Sequence, residues 1–252
     1  MRLLIDVGNS RIKWACLIKG KLEHQGAAVR EKDPQALVTM LDQNWRKVKK
    51  PAEIIASNVA GKDYADALET WTSERWQLIP HFIKAEASAF GVTNAYSKPE
   101  HLGTDRWASL IAARHQFKGP VCIVDAGSAV TIDVLNEQGF HQGGLIIPGL
   151  DMMRSALLEQ TQDILPATIA PASGDVSLLA RDTLDGVNGG TLYALVAVID
   201  RVIADVRTEL GADLTRIITG GDADTLLPLL AGHYHHHPDL VLEGLAVIAE
   251  GA

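Results

Sequence analysis

The chain has 252 residues, 47% of them hydrophobic and 21% charged, and a net charge of −8. That suits one large or two ordinary folded domains and excludes an intrinsically disordered chain. The acidic balance argues against a nucleic-acid partner, which needs a basic footprint, but leaves room for a small nucleotide held locally.

Residues 2–7 and 11–18 read as strands, and Lys19-Gly20-Lys21 as the turn into a third. Asp33-Pro34 starts a helix with Pro at its first position, and Leu37, Met40 and Leu41 supply its apolar stripe. A buried strand at 53–57, a helix at 62–75 and a strand at Trp76-Gln77-Leu78-Ile79 follow, giving βββαβα and one strand more. Residues 91–102 read as loop, and Thr104 caps a helix that runs to about 117, where Gly119-Pro120 ends it. Strands at 121–126, 130–136 and 140–147 restart the pattern, broken by Pro148-Gly149 before a helix near 150. Residues 166–175 are rich in Pro, Ala, Ser and Gly and read as an exposed loop. A long helix is expected over 184–209, where Gly186, Gly189 and Gly190 suggest close packing against a neighbour or ligand. Strand 216–219, the turn Gly220-Gly221-Asp222, a helix at 223–231 and a final apolar helix at 240–249 complete the chain.

Two segments echo each other. Leu4-Ile5-Asp6-Val7-Gly8-Asn9-Ser10 is answered by Ile123-Val124-Asp125-Ala126-Gly127-Ser128-Ala129, and the stretch around His24 by that around His141. The offset falls from 119 to 117 (125 − 6 and 141 − 24), which predicts a turn two residues shorter in the second copy. An Asp-x-Gly turn also serves ordinary hairpins. Two matched copies point further, to two related domains whose tight glycine turns present backbone N–H groups to a phosphate. The aspartates repel phosphate and are better placed to hold a bridging cation or water. Gly-x-x-x-x-Gly-Lys and Gly-x-Gly-x-x-Gly motifs are absent, so any nucleotide chemistry falls to these hairpins. Thr219-Gly220-Gly221-Asp222 is a third glycine turn whose helix start could meet a ribose or adenine.

Gly103-Thr104-Asp105-Arg106 sits at a helix start. Beside two phosphate-type turns, Asp105 is a candidate general base and Arg106 a candidate anion clamp. His233, His235, His236 and His237 lie in a Gly-Pro-bounded stretch and read as solvated loop rather than a metal site. The five tryptophans are spread along the chain and read as packing. Cys16 and Cys122 fall in apolar runs and read as unpaired core thiols of a reduced cytoplasm. Met1-Arg2 runs straight into the first strand, so neither a secretory signal nor an apolar run of membrane-spanning length is expected.

Together these motifs resemble the actin-like ATPase superfamily, and within it the type III pantothenate kinases. Asp6-Val7-Gly8-Asn9-Ser10-Arg11-Ile12-Lys13 is similar to that family's first phosphate motif and Gly103-Thr104-Asp105-Arg106 to its substrate motif. Asp125 to Asp133 resembles its second phosphate motif; Gly143 to Gly149 and Pro238 to Leu245 resemble further family segments. The resemblance implies two duplicated actin-like, ribonuclease H-like α/β domains, here 1–117 and 118–252. Each would be a mixed sheet with a βββαβα core, with a nucleotide cleft between them. It implies that Asp6, Val7, Gly8, Asn9, Ser10, Arg11, Ile12, Lys13 and Ser128 contact ATP. Asp125 would ligate a monovalent cation, potassium or ammonium, used besides Mg²⁺ with ATP. Asp105 would take the pantothenate hydroxyl proton, and Tyr96, Gly103, Thr104, Asp105, Arg106 and Thr183 would bind pantothenate. Asp182 stands where the family usually has Asn before that threonine, and Ser10 and Ser128 replace commoner threonines. A cytoplasmic homodimer acting on ATP and pantothenate, with no nucleic acid and no membrane, is the expected setting. The rival reading is a non-catalytic nucleotide-binding regulator, a transcriptional accessory factor on the same fold.

Overall fold

Two five-stranded sheets are built to one plan, and each begins with an Asp-x-Gly hairpin. The computed structural model describes residues 1–31, 33–46, 48–160, 179–211 and 213–251. The stretch 166–175, expected as an exposed loop, lies outside the described residues. The first half runs β1 (Arg2–Val7), β2 (Arg11–Ile18), β3 (Lys21–Val29), α1 (Pro34–Trp45), β4 (Ile54–Asn58), α2 (Lys62–Trp76) and β5 (His81–Phe82). A small hairpin of β6 (Ser88–Ala89) and β7 (Val92–Thr93), a 3₁₀ turn at Pro99–His101 and α3 (Thr104–Gln116) come next. The second half runs β8 (Val121–Ala126), β9 (Ala129–Leu135), β10 (His141–Pro148), α4 (Leu150–Gln160), α5 (Thr183–Leu210), β11 (Thr215–Thr219), α6 (Ala223–Leu226), β12 (His235–His236) and α7 (Leu240–Glu250).

The strand orders are β3-β2-β1-β4-β5 and β10-β9-β8-β11-β12. Renumbered within each half they are identical, so the duplication read from the two acidic turns extends through the whole sheet. The described chain groups into two units. One holds residues 1–118, 135–143 and 239–252, the other 119–134 and 144–238.

The first unit's core is aromatic. Trp14, Trp45, Trp71 and Trp76 converge, with ring centroids 5.0–6.2 Å apart in edge and stacked pairs. Their spread along the sequence hid this cluster, while the fifth, Trp107, is buried separately on α3. Gly26 has no side chain because the Trp14 indole occupies the space that one would need.

The cluster also corrects an expectation. Trp76-Gln77-Leu78-Ile79 is not a strand: α2 continues through Trp76 and ends at Gln77, which is left-handed at φ 54°. The buried positions Tyr64, Leu68, Trp71, Thr72 and Trp76 follow helical spacing, so burial of one helix face overrides the strand preference of an aromatic run. Within this unit α7 lies across α3, and a side chain on Gly244 would overlap the Ala108 carbonyl.

The second unit packs Val124, Ile132, Ile218 and their neighbours against α5, whose Leu192, Leu195, Val196, Ile199 and Ile203 form the buried stripe. Contrary to expectation, α5 is long and apolar enough by length and composition to cross a membrane, with a mean hydropathy of 1.4 over an 18-residue stretch. Its glycines and Asp200 disguise the run, and its apolar stripe is core. A side chain on Gly190 would meet nothing within 4 Å, and one on Gly186 only the Ala180 Cβ at 4.0 Å. These two glycines therefore do not mark a close approach among the described residues. Cys16 and Cys122 are both free and buried. Burial pushes the Cys122 thiol up to about 12 and raises Cys16 as well.

The echo around the histidines is looser than the sequence suggests. The connection before β10 spans 136–140 while that before β3 spans only 19–20. His24 lies inside β3 with φ 53°, near the register shift between Trp14 and Cys16, whereas His141 opens β10. The second copy is shorter by one residue in its first turn, 127–128 against 8–10. His235 and His236 likewise form β12 rather than loop, pairing parallel with Ile217 and Ile218.

Candidate active site

The first turn grows directly from strand chemistry. In β1 and β2 the antiparallel register sets Asp6 opposite Lys13 and Val7 opposite Ile12. Val7 and Ile12 are each 1% exposed, so their side chains build the core and only their backbone faces the turn. Asp6 and Lys13 share the other face as an opposite-charge cross-strand pair. The Gly8 N–H donates to the Arg11 carbonyl at 3.0 Å, closing the turn on itself. Gly8 therefore shapes the loop, and the exposed Asn9, Ser10 and Arg11 present the polar groups. Arg30 braces this turn: its Nε donates to the Asn9 carbonyl at 2.7 Å and its backbone N–H to the Ser10 carbonyl at 2.8 Å.

The proposed base stands beside that turn. In the parallel register of β1 and β4, Asp6 neighbours Ser57 and Val7 neighbours Asn58. The Ser57 and Thr104 hydroxyls are 3.0 Å apart, and the Asn58 N–H donates to Thr104 Oγ1 at 3.2 Å. Thr104 is thus the first residue of α3 and a tie to the end of β4, where sequence reading expected a cap. This tie fixes the start of α3 at the same sheet edge as Asp6. Asp105, in the first helical turn, is half-buried and accepts the Arg106 backbone N–H on Oδ1 at 2.7 Å. A carboxylate here is stabilised by the helix dipole. A side chain at Gly103 would come within 2.6 Å of that same oxygen, so any larger residue there would have to displace the Asp105 carboxylate.

Arg106 is 6% exposed, and its Nη1 donates to the Tyr96 hydroxyl at 2.9 Å. Tyr96 is held in turn: Asn94 Oδ1 accepts its backbone N–H at 3.0 Å, and its ring stacks on the buried His141 at 6.1 Å. In the sequence His141 stands out only as part of the echo. Its place against Tyr96 is a long-range contact that no local motif signals. Tyr96, Gly103, Thr104, Asp105 and Arg106 are therefore brought together in the first unit.

The second unit repeats the turn. Asp125, the penultimate residue of β8, lies beside Thr219 of β11, and Gly127 N–H closes onto the Ala129 carbonyl at 3.2 Å. Gly220, at φ 96°, packs against the Ala126 backbone, and the Asp222 N–H donates to the Ala126 carbonyl at 2.9 Å. The third glycine turn is thus bound to the second acidic turn. Ser128 is half-buried, and its carbonyl accepts the Gly149 N–H at 3.0 Å. Asp125 suits a hard cation chemically, because its carboxylate stays over the turn, with Oδ1 3.7 Å from where a Gly127 side chain would begin. Thr183 is exposed as the first residue of α5. Asp182 before it is the N-cap and accepts the Asp185 N–H at 2.9 Å, a role Asp and Asn fill equally well. Among the described residues no group of three or more His, Cys, Asp or Glu side chains is placed to hold a metal ion. His236 Nδ1 lies 3.6 Å from Asp224 Oδ1.

A duplicated sheet with an acidic glycine turn in each half defines the fold of the actin-like ATPases and sugar kinases. Solved structures agree at the level of fold. A Sinorhizobium meliloti protein described as a 2-dehydro-3-deoxygalactonokinase superposes with TM-score 0.61 at 16% identity, covering 99% of this chain and 96% of its own. A Campylobacter jejuni protein described as a Baf family transcriptional activator gives 0.59 at 20% identity, covering 98% of each. Sequence is more specific. The family model for type III pantothenate kinase matches residues 2–205. A type III pantothenate kinase of Nitrosococcus oceani is 46% identical across 99% of this chain and 94% of its own length. The chain belongs to the type III pantothenate kinase family, and it is an enzyme, a kinase, rather than a regulator that keeps only the fold.

Proposed function

We propose that the chain phosphorylates pantothenate with ATP, the first step toward coenzyme A, and that Asp105 is its general base. The observation that carries the assignment of roles is the Ser57–Thr104 tie, which sets the start of α3 beside the Asp6 turn. The alcohol oxygen of pantothenate bonds to the γ-phosphorus, the bond to the β–γ bridging oxygen breaks, and ADP leaves. Asp105 accepts the hydroxyl proton on a carboxylate oxygen. Asp6 to Lys13 and Ser128 hold the phosphates of ATP. Positioning and charge neutralisation supply most of the rate enhancement in such a transfer. Asp6 would hold Mg²⁺ with ATP and Asp125 a monovalent cation; when bound, these ions shield the phosphate charge from the two carboxylates. Tyr96 and Arg106 bind the pantothenate carboxylate end, with Thr183 also in contact. The enzyme acts as a cytoplasmic homodimer, without nucleic acid or membrane. That α5 buries its apolar stripe in a protein core supports this setting.

Arg106 offers a direct test. A guanidinium fork pairs with a carboxylate in a way that an ammonium does not. Arg106→Lys is expected to raise KM for pantothenate about tenfold or more while leaving KM for ATP near wild type. An unchanged pantothenate KM would place the carboxylate elsewhere.

The cation gives another. Turnover is expected to rise sharply when potassium or ammonium replaces sodium, and Asp125→Asn is expected to abolish that difference. Equal initial rates in all three salts would remove the cation from the site.

A further inference from the structure

The second unit contains a buried cation that its own side chains leave largely unanswered. Arg154, on α4, is 4% exposed. Its Nε and Nη2 are buried without a hydrogen-bond partner among the described residues. Among the described residues its ion-pair partner is Asp151, 3.7 Å from Nη1 and itself 85% exposed. A guanidinium does not shed its proton to escape burial, and its remaining N–H donors need acceptors. Left alone it is a standing cost to the fold; paired with an entering anion it is a prepared site.

Its direction says where that anion would lie. Side chains on a helix lean toward its N-terminus, and the approach to Asp151, three residues earlier, shows Arg154 doing so. The first turn of α4 carries open backbone N–H groups and the positive end of the helix dipole. That turn is pressed against the second acidic-glycine turn. The Gly149 N–H donates to the Ser128 carbonyl, and a side chain on Gly149 would overlap the Gly127 carbonyl and reach within 2.7 Å of that of Ser128. Three features therefore converge: a buried guanidinium with two unsatisfied nitrogens, a helix N-terminus and a glycine turn in van der Waals contact with that terminus.

We propose that Arg154 and the first turn of α4 form a phosphate-binding subsite beside the Gly127–Ser128 turn. The choice of phosphate over another anion rests on the kinase reading; the existence of an anion site does not. Arg154 takes the oxyanion through Nε and Nη2, a paired geometry that lysine cannot copy.

The test is thermal melting and calorimetric titration of the purified protein with inorganic phosphate, ATP and pantothenate in separate arms, without turnover. Wild-type Tm is expected to rise by a few degrees with phosphate and with ATP. Arg154→Met, close in length but uncharged, is expected to melt at or above the wild-type temperature without ligand, because it removes a buried charge whose only described ion-pair partner is exposed. It is also expected to lose the phosphate and ATP shifts, with Kd weakened about 10- to 100-fold. Arg154→Lys is expected to keep part of both. Loss of the ATP shift alone would assign the subsite to the nucleotide, and loss of both would extend it to free phosphate. A Met variant that melts lower or fails to fold would make Arg154 a structural residue and overturn the proposal. So would unchanged phosphate and ATP shifts, no shift in the wild type, or a loss confined to pantothenate.

Discussion

Asp105→Asn is expected to fold, to bind both substrates and to lose turnover by about 10²–10⁴. A primary alcohol attacks poorly while it keeps its proton, and Asp105 is the carboxylate held at the start of α3 beside the first turn. Asparagine preserves the shape and the acceptor oxygen. The bond from the Arg106 N–H to Asp105 Oδ1 can therefore persist in the variant. Asparagine cannot take the proton. The bland alternative gives Asp105 only a structural role in the first turn of α3, and then Asn costs little in either property. Measuring kcat and Tm on the same sample separates the two. A normal melt with turnover reduced at least a hundredfold is the predicted result; a normal melt with normal turnover would remove Asp105 from the chemistry.

The largest effect on stability is expected at Gly244. There α7 crosses α3 so closely that a Cβ would overlap the Ala108 carbonyl and lie 2.5 Å from its carbon. Main chain cannot turn aside as a side chain tip can, so Gly244→Val must push the helices apart. Overpacking of this kind costs about 1–3 kcal/mol or more, and in a chain of this size each kcal/mol lowers Tm by about 2–4 °C. Because α3 also carries Asp105, turnover is expected to fall with stability. Gly190→Ala is the matched comparison. It stands on α5, where an added Cβ would meet nothing within 4 Å among the described residues, and alanine there is expected to be neutral or to stabilise by about 0.4–1 kcal/mol. Equal melting of the two variants would contradict the close crossing.

What could be read in the sequence follows from what is local. Strands β1, β2, β8 and β11 are short apolar runs bounded by glycine turns, and their physics is contained in a few adjacent residues. The repeat of Asp-x-Gly exposed the duplication because an identical turn requires the same residues in the same order. The helix start that carries Asp105 and Arg106 was legible because its signal is local too. Contacts between distant segments were not. Trp76 is helical because Trp45 and Trp71 wait for it, and nothing near residue 76 says so. Thr104 looks like a cap until Ser57 is found beside it. Arg30 beneath the first turn, His141 against Tyr96 and the buried Arg154 each depend on where separate strands and helices are set down. The histidine echo misled because matching letters do not guarantee matching positions once a connecting loop changes length.

This chain transfers phosphate from ATP to pantothenate. Steady-state ADP release in potassium buffer, with the product weighed by mass spectrometry, tests it most directly. ADP release that depends on pantothenate, with pantothenate gaining one phosphoryl group per ADP formed, is the result predicted. ADP released at the same rate without pantothenate, or pantothenate recovered unchanged, would contradict it.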